Sequence, residues 1–285
     1  MLEFNDEALS LISNYVKDVE TEVCKISVNI EPEYVKMLVF DIENYVKFFG
    51  VKEAMKRGST KVEMVDVIKA LKKFGKPEKF VKSKFRNVEA CLNSQKITLS
   101  NLKAIDERLE EIEASNVLDA GCGWGRVSKK LQDYTHVKDL NIIGIDLNKL
   151  SLQYGKTVNE DAVFFRSDIQ APPFKNQVFD IILSSGVIHE VKSMEGRSKA
   201  IKEFSRILKP NGVLYIIDAF TKSRIISAFT FMMQHVIRKV EWIPKKEAIE
   251  KMLKEAKLKT IRVEKGSFHL LGMVSSYTII AIKEP

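Results

Sequence analysis

At Asn116 the hydrophobic period of the chain switches, and few architectures accommodate the switch. Before it, apolar residues recur at helical spacing. Leu9, Leu11, Ile12, Tyr15, Val16, Val19 and Val23 form a first run. Val35, Leu38, Val39, Ile42, Val46 and Phe49 form a second, opened by Pro32 and closed by Gly50. Val62, Val65, Ile68, Ala70, Leu71 and Phe74 form a third, stopped by Gly75 and Pro77. Phe80, Val81, Phe85, Val88 and Leu92 make a fourth, and Leu102, Ile105, Leu109 and Ile112, capped by Ser100, a fifth. No strand pattern interrupts residues 1–113. After the switch, β-rich runs at 116–120, 141–146, 162–166, 179–184 and 213–218 alternate with helical segments. That alternation implies a parallel sheet with helices on both faces. Two last strand-like runs, 259–264 and 275–283, are joined by a link too short for a crossover helix, so they pair antiparallel. The expected organisation is an all-α domain over residues 1–113 and an α/β domain over 114–285. Its seven-stranded sheet is mostly parallel with an antiparallel last strand.

Composition narrows the function classes. The 285 residues are 45% hydrophobic and 29% charged, enough for a large core without disulfides or a structural metal. Cys24, Cys91 and Cys122 are far apart, as are His136, His189, His235 and His269, so no metal site is expected. A reducing cytoplasm fits such cysteine usage. No apolar run is long enough to span a bilayer, and the first ten residues lack the basic start of a secretory signal. Abundant Lys and Glu with little Gln point to a thermophilic source. The net charge of +8 is uneven: residues 1–55 are acidic, whereas 56–86 and 222–265 are basic. Basic stretches attract nucleic acid or anionic lipid, or are simply solvated helix faces; both readings stay open here.

The richest chemical signal is Val117-Leu118-Asp119-Ala120-Gly121-Cys122-Gly123-Trp124-Gly125-Arg126, an apolar strand running through glycines into a helix. Glycines allow a sharp turn and close backbone approach to a ligand, and the helix start aims N–H groups at it. Asp146 ends the next strand at the spacing that puts a carboxylate on a ribose diol. A dinucleotide site wants G-x-G-x-x-G, and here the third-glycine position is Arg126. Asp119 beside the glycines repels phosphate and suits a cationic amino group. Ribose, adenine and a positively charged tail together describe S-adenosylmethionine.

In these motifs the chain resembles class I S-adenosylmethionine-dependent methyltransferases of the small-molecule type 11/25 group, with their Rossmann-like sheet. Leu118 to Gly125 resembles the first motif and Gly144-Ile145-Asp146-Leu147 the second. Ser167-Asp168-Ile169 with Pro172-Pro173-Phe174 is similar to the third, and the stretch from Phe179 to His189 to the fourth. The stretch from Arg206 to Leu214 is similar to the segment entering strand five. The resemblance implies that Asp119, Gly121 and Gly123 face the methionine moiety. It implies that Asp146 binds the ribose, with Leu147 on the adenine. Asp168 would then accept from the adenine amino group, Ile169 would cover its other face, and Ser184 and Ser185 would lie beside the sulfonium. Cys122 reads as packing filler and Gly125 as part of the turn. Trp124 has two open readings, packing on the cofactor or capping the helix start.

Methyl transfer from a sulfonium needs alignment above all, and a general base only where the acceptor arrives protonated. Strand four ends in Ser184-Ser185-Gly186-Val187, without the Asn-Pro-Pro-Tyr type of adenine or glutamine methylation and without a Pro-Cys nucleophile. His189, with Glu190 beside it, is the base candidate; His269 is a weaker one, and His235 is a candidate lid residue. The apolar segment 225–237, inside an insertion over 220–243, suggests an adaptable wall for a hydrophobic or lipid-like acceptor. Buried core, a homo-oligomer contact or peripheral membrane contact are competing readings of it. Residues 70–80 faintly resemble small helical domains ending in Leu-Gly-x-Pro-Glu. For the helical domain, the roles of lid, oligomerisation element and docking module stay open. An enzyme acting on RNA or protein through residues 56–86 is the alternative to a small-molecule enzyme, and a binding module without turnover is a third.

Overall fold

The computed structural model describes residues 2–26, 32–77, 79, 99–159, 161–221, 243–270 and 274–285. The expected fourth helix around 80–92, most of the 220–243 insertion and His235 lie outside these residues, as does the His269 side chain. The chain divides into two compact units, Met1–Gln95 and Lys96–Pro285.

The first unit contains α1 (Asp6–Ile26), α2 (Pro32–Lys56) and α3 (Met64–Leu71). Ala8, Ile12, Tyr15, Val16 and Val19 turn inward from α1 at the expected spacing, while Leu9 stays exposed. Three details depart from the sequence reading. A two-stranded parallel ribbon, β1 (Glu3–Phe4) with β2 (Lys61–Val62), does interrupt the helices; strands of two residues leave no period to detect. Gly50 does not end α2, which continues to Lys56. A Cβ at Gly50 would lie 3.4 Å from Val62 and 3.7 Å from Phe4, so this glycine serves close packing of the ribbon on the helix. On α3 the buried face is Asp66, Val67 and Ala70, whereas Val65 and Ile68 are exposed. A capping box between Glu63 and Asp66 fixes that rotation, and the Arg57 guanidinium holds the Asp66 carboxyl below its usual range.

The second unit is a seven-stranded sheet with helices on its faces. Its elements are α4 (Leu99–Glu111), β3 (Asn116–Ala120), α5 (Arg126–Tyr134), β4 (Asn141–Asp146), α6 (Lys149–Val158), β5 (Val163–Arg166), β6 (Phe179–Ser185), α7 (Met194–Ile207), β7 (Leu208–Thr221), α8 (Lys246–Glu255), β8 (Leu258–Leu270) and β9 (Val274–Lys283). The strand order is β5-β4-β3-β6-β7-β9-β8. The first five pair parallel, and β9 is antiparallel to both neighbours. The seven-stranded, mostly parallel architecture read from the sequence is therefore present.

The central strands are buried on both faces, which is why they read as continuous apolar runs. Ala200, Ile201 and Phe204 of α7 and Ile249 and Leu253 of α8 pack with Leu118, Ile182, Leu214 and Ile216. The sequence reading ended the helical part at residue 113, but α4 goes with the sheet. Tyr215 Oη donates to Ala104 O at 3.3 Å, Asn101 Nδ2 to Thr278 Oγ1 at 3.3 Å, and Thr135 Oγ1 to Asp106 Oδ1 at 2.5 Å. Among the described residues, no helix is long and apolar enough to cross a membrane.

Candidate functional site

β3 ends in a turn built on three glycines in the left-handed region, Gly121, Gly123 and Gly125, with φ of 77°, 58° and 78°. The Gly121 and Cys122 N–H groups donate to Ile145 O at 2.8 and 3.0 Å, tying the turn to β4. The glycines have different duties. A Cβ at Gly121 would stand 2.2 Å from Val187, and one at Gly125 would stand 2.4 Å from the Phe164 ring. At Gly123 a Cβ would meet nothing within 4 Å, so there the turn presents bare backbone to open space.

Two carboxylates bracket the turn. Asp146, ending β4, accepts from Gly123 N at 2.9 Å and from Asn148 N at 2.8 Å, so it fixes the glycine turn and the start of α6 together. Asp119 lies beneath the turn with 1% exposure and accepts from Ser128 Oγ at 2.6 Å and Ser128 N at 3.2 Å. Burial pushes its pKa up to about 6. Between them, burial and these two carboxylates push the Cys122 thiol far up, so it stays protonated and packs. Trp124 is buried edge-on against Tyr154 of α6, ring centroids 6.1 Å apart.

A cavity of about 340 Å3 opens beside this turn, over the ends of β4 and β5. Gly121, Asp146, Leu147, Asp168 and Ile169 line it, with Ser167, Gln170, Val187, Glu190, Val191, Lys192 and Ser193. Leu147 is 57% exposed, unusual for a leucine beside a concave surface, while Ile169 is 6% exposed. The Asp168 carboxylate accepts from Gln170 N at 2.9 Å, which closes a tight turn and fixes its direction. The cavity thus offers two fixed carboxylates and two aliphatic side chains, a set suited to sugar hydroxyls and a flat base.

The ends of β6 and β7 carry a second group of polar side chains. Ser184 and Ser185 are buried, and neither hydroxyl has a hydrogen-bond partner among the described residues. Such buried hydroxyls are able to hydrogen-bond a polar group brought to the strand ends. His189, on a 3-10 turn (Ile188–Glu190) leaving β6, makes its Nδ1 contact with Asp218 Oδ1 of β7. Arg197, fully buried on α7, donates from Nη2 to His189 O at 3.0 Å.

Of the residues expected from sequence, Gly121, Asp146, Leu147, Asp168, Ile169 and Glu190 come together on the cavity. Asp119, Cys122 and Trp124 are buried and, like Gly123 and Gly125, do not line it, and Ser184, Ser185 and His189 stand at the next strand ends. Val187, Gln170 and Asp218 were not singled out from sequence. For Asp218 the available signal was an acid closing a buried strand at its carboxyl end, where α/β sheets place their ligands.

Comparison with known proteins agrees with this geometry. Residues 118–216 match the family described as Methyltransferase domain. The demethylmenaquinone methyltransferase of Chlorobaculum parvum is 24% identical over 201 residues, covering 64% of this chain and 79% of that one. The mouse protein named "Probable tRNA methyltransferase 9B" is 35% identical over 102 residues, 36% of this chain and 21% of that one. Among solved structures, a geranyl diphosphate methyltransferase in complex with S-adenosylmethionine shares the fold, with a TM-score of 0.54 and 13% identity over 68% of this chain and 90% of that one.

Proposed function

We propose, from the match of residues 118–216 to the methyltransferase-domain family, that the chain is a class I S-adenosylmethionine-dependent methyltransferase and that it methylates a small, apolar or lipid-like acceptor. The observation that carries the cofactor's placement is the cavity in which Asp146, Asp168, Leu147 and Ile169 converge beside the glycine turn. In this reading Leu147 and Ile169 sandwich the adenine and Asp168 takes its amino group. Asp146 takes the ribose diol, and the open backbone at Gly123 passes along the methionine tail. Asp119 supplies negative charge from beneath the turn to the cationic amino group while its hydrogen bonds go to Ser128. The orphaned hydroxyls of Ser184 and Ser185 lie where the sulfonium end would come to rest. Cytoplasmic location belongs to the same proposal.

The relative named for demethylmenaquinone supports an apolar acceptor, as does the Met- and Phe-rich sequence of residues 225–237. A second reading, methylation of RNA, has its own support in the tRNA methyltransferase relative and the basic stretch 56–86. One experiment separates them. The protein is incubated with methyl-tritiated S-adenosylmethionine and an extract of cells lacking it, and label is counted in solvent-extractable and RNA fractions at low and high salt. Label in the solvent-extractable fraction, insensitive to salt, is the expected result. Label in RNA, falling steeply with ionic strength, would replace this acceptor class with the second.

A further inference from the structure

We propose that Asp218 is a positioning residue for His189, and that the pair takes a proton from the methyl acceptor, which is therefore a hydroxyl, phenol or other group that gives up a proton as it is methylated. The proposal rests on the methyltransferase reading above for its direction; its substance is the geometry at the ends of β6 and β7.

His189 is clamped through backbone and ring. Its N–H donates to Asp218 Oδ2 at 3.2 Å, its Nδ1 contacts Asp218 Oδ1, and its carbonyl accepts from Arg197 Nη2 at 3.0 Å. Arg197 also donates from Nε to Val191 O at 2.9 Å, fixing both ends of the turn that carries the imidazole. The Asp218 side chain is fully buried, and its Oδ1 also accepts from Ala219 N at 2.7 Å, so the carboxylate is itself held still. The imidazole keeps 14% of its surface exposed. A carboxylate on Nδ1 selects the tautomer protonated there, which leaves Nε2 as the proton-accepting atom. Of the titratable and charged groups near this pair among the described residues, Asp218 of β7 contacts the ring, Arg197 of α7 reaches carbonyls of the turn, Glu190 follows His189 on the turn, and Tyr277 is the strand partner of Asp218 on β9. Direct contact with Asp218 favours the imidazolium, while Arg197 reaches the turn through carbonyl oxygens.

The strand order sets the place of this pair. The proposed cofactor runs from Asp168 and Asp146, at the β5 and β4 ends, toward Gly121 and Ser184, at the β3 and β6 ends. The next strand in that direction is β7, which carries Asp218. The pair therefore stands on the side to which the methyl group is delivered. As the acceptor lone pair attacks the methyl carbon, a bond forms from carbon to acceptor. The bond from carbon to sulfur breaks with its electrons kept by sulfur, which leaves as a neutral thioether. The acceptor proton moves to His189 Nε2, and the buried Asp218 carboxylate stabilises the resulting imidazolium.

The test is nitrogen NMR of the full chain carrying 15N-histidine, saturated with S-adenosylhomocysteine, titrated from about pH 5 to 9. His189→Gln assigns the resonance, and wild type is compared with Asp218→Asn. The expected wild-type state is the neutral tautomer protonated on Nδ1, titrating at least about one pH unit above His189 in Asp218→Asn. A neutral tautomer protonated on Nε2, or equal midpoints in the two proteins, would overturn the positioning role. The tautomer is read on wild type alone, so it decides the matter even where the variant does not fold. Mass spectrometry of the product of the transfer assay tests the acceptor: a methyl on oxygen or carbon is expected, and one on a sulfonium or quaternary nitrogen refutes it. Absence of S-adenosylhomocysteine binding would strike the cofactor reading alone and leave the tautomer result standing.

Discussion

Asp119 sits beneath the glycine turn, 1% exposed, with its carboxyl raised from 3.8 to about 6 by burial and its hydrogen bonds drawn from Ser128. The folded chain therefore keeps a proton that the unfolded chain releases between about pH 4 and pH 6. Stability from this group is complete below about pH 4 and is lost as pH rises through about 6, a change of roughly 3 kcal/mol. Urea unfolding at several pH values should show this slope in wild type and a flatter one in Asp119→Asn; identical slopes would contradict it. The glycines give a second residue-scale expectation. Gly121→Ala combines positive φ with a clash on Val187 and should lose at least about 2 kcal/mol. Gly123→Ala carries the φ strain alone, about 1 kcal/mol. Val187→Ala should recover part of the Gly121→Ala loss in a double-mutant cycle, and strict additivity would rule out the contact. These glycines, Asp146 and Asp168 were legible in the sequence because backbone turns and strand ends demand particular residues at fixed offsets. Asp218 was not, because its contact with His189 joins residues 29 positions apart on neighbouring strands.

At the scale of elements, the stretch from Arg206 into β7 shows why a motif can be legible while its reason is not. The Arg206 guanidinium donates to Phe174 O at 2.8 Å, Pro172 O at 3.3 Å and Asn176 Oδ1 at 2.9 Å, and pairs with Glu203 at 2.7 Å. It thereby ties the end of α7 to the Pro172-Pro173-Phe174 segment that follows the Asp168 turn. Arg206→Ala should destabilise by about 2 kcal/mol by leaving these acceptors unmatched. Arg206→Lys should restore less than half of that, since an ammonium cannot reproduce the fork. Full restoration by Lys, in urea unfolding, would show that charge alone matters. Among the described residues of 1–113 the helices were read well as helices, and α4 was read poorly in its allegiance. The α4 period resembles its predecessors, and only contacts such as Tyr215 Oη to Ala104 O assign it to the sheet. Gly50 misled for a related reason: a glycine that ends a helix and one that admits a neighbour look alike in sequence.

For the whole molecule, the alternation after Asn116 was enough to read a seven-stranded, mostly parallel sheet, because the crossovers were long enough to return the chain parallel and the last link was not; the helical segment expected between β5 and β6 is absent, and the chain crosses there through the Asp168 turn and Pro172-Pro173 without a helix. The position of β9 between β7 and β8 was harder, since pairing order is a long-range choice. That order leaves β3, β4 and β6 carrying the glycine turn, the Asp146 carboxylate and the orphaned serines side by side. What fills the cavity beside them decides the cofactor. Isothermal calorimetry of the folded full chain with S-adenosylhomocysteine and, separately, with oxidised nicotinamide adenine dinucleotide reads this directly. Saturable one-site heat with the thioether nucleoside and none with the dinucleotide is the expected outcome; heat with the dinucleotide alone, or with neither, would contradict it.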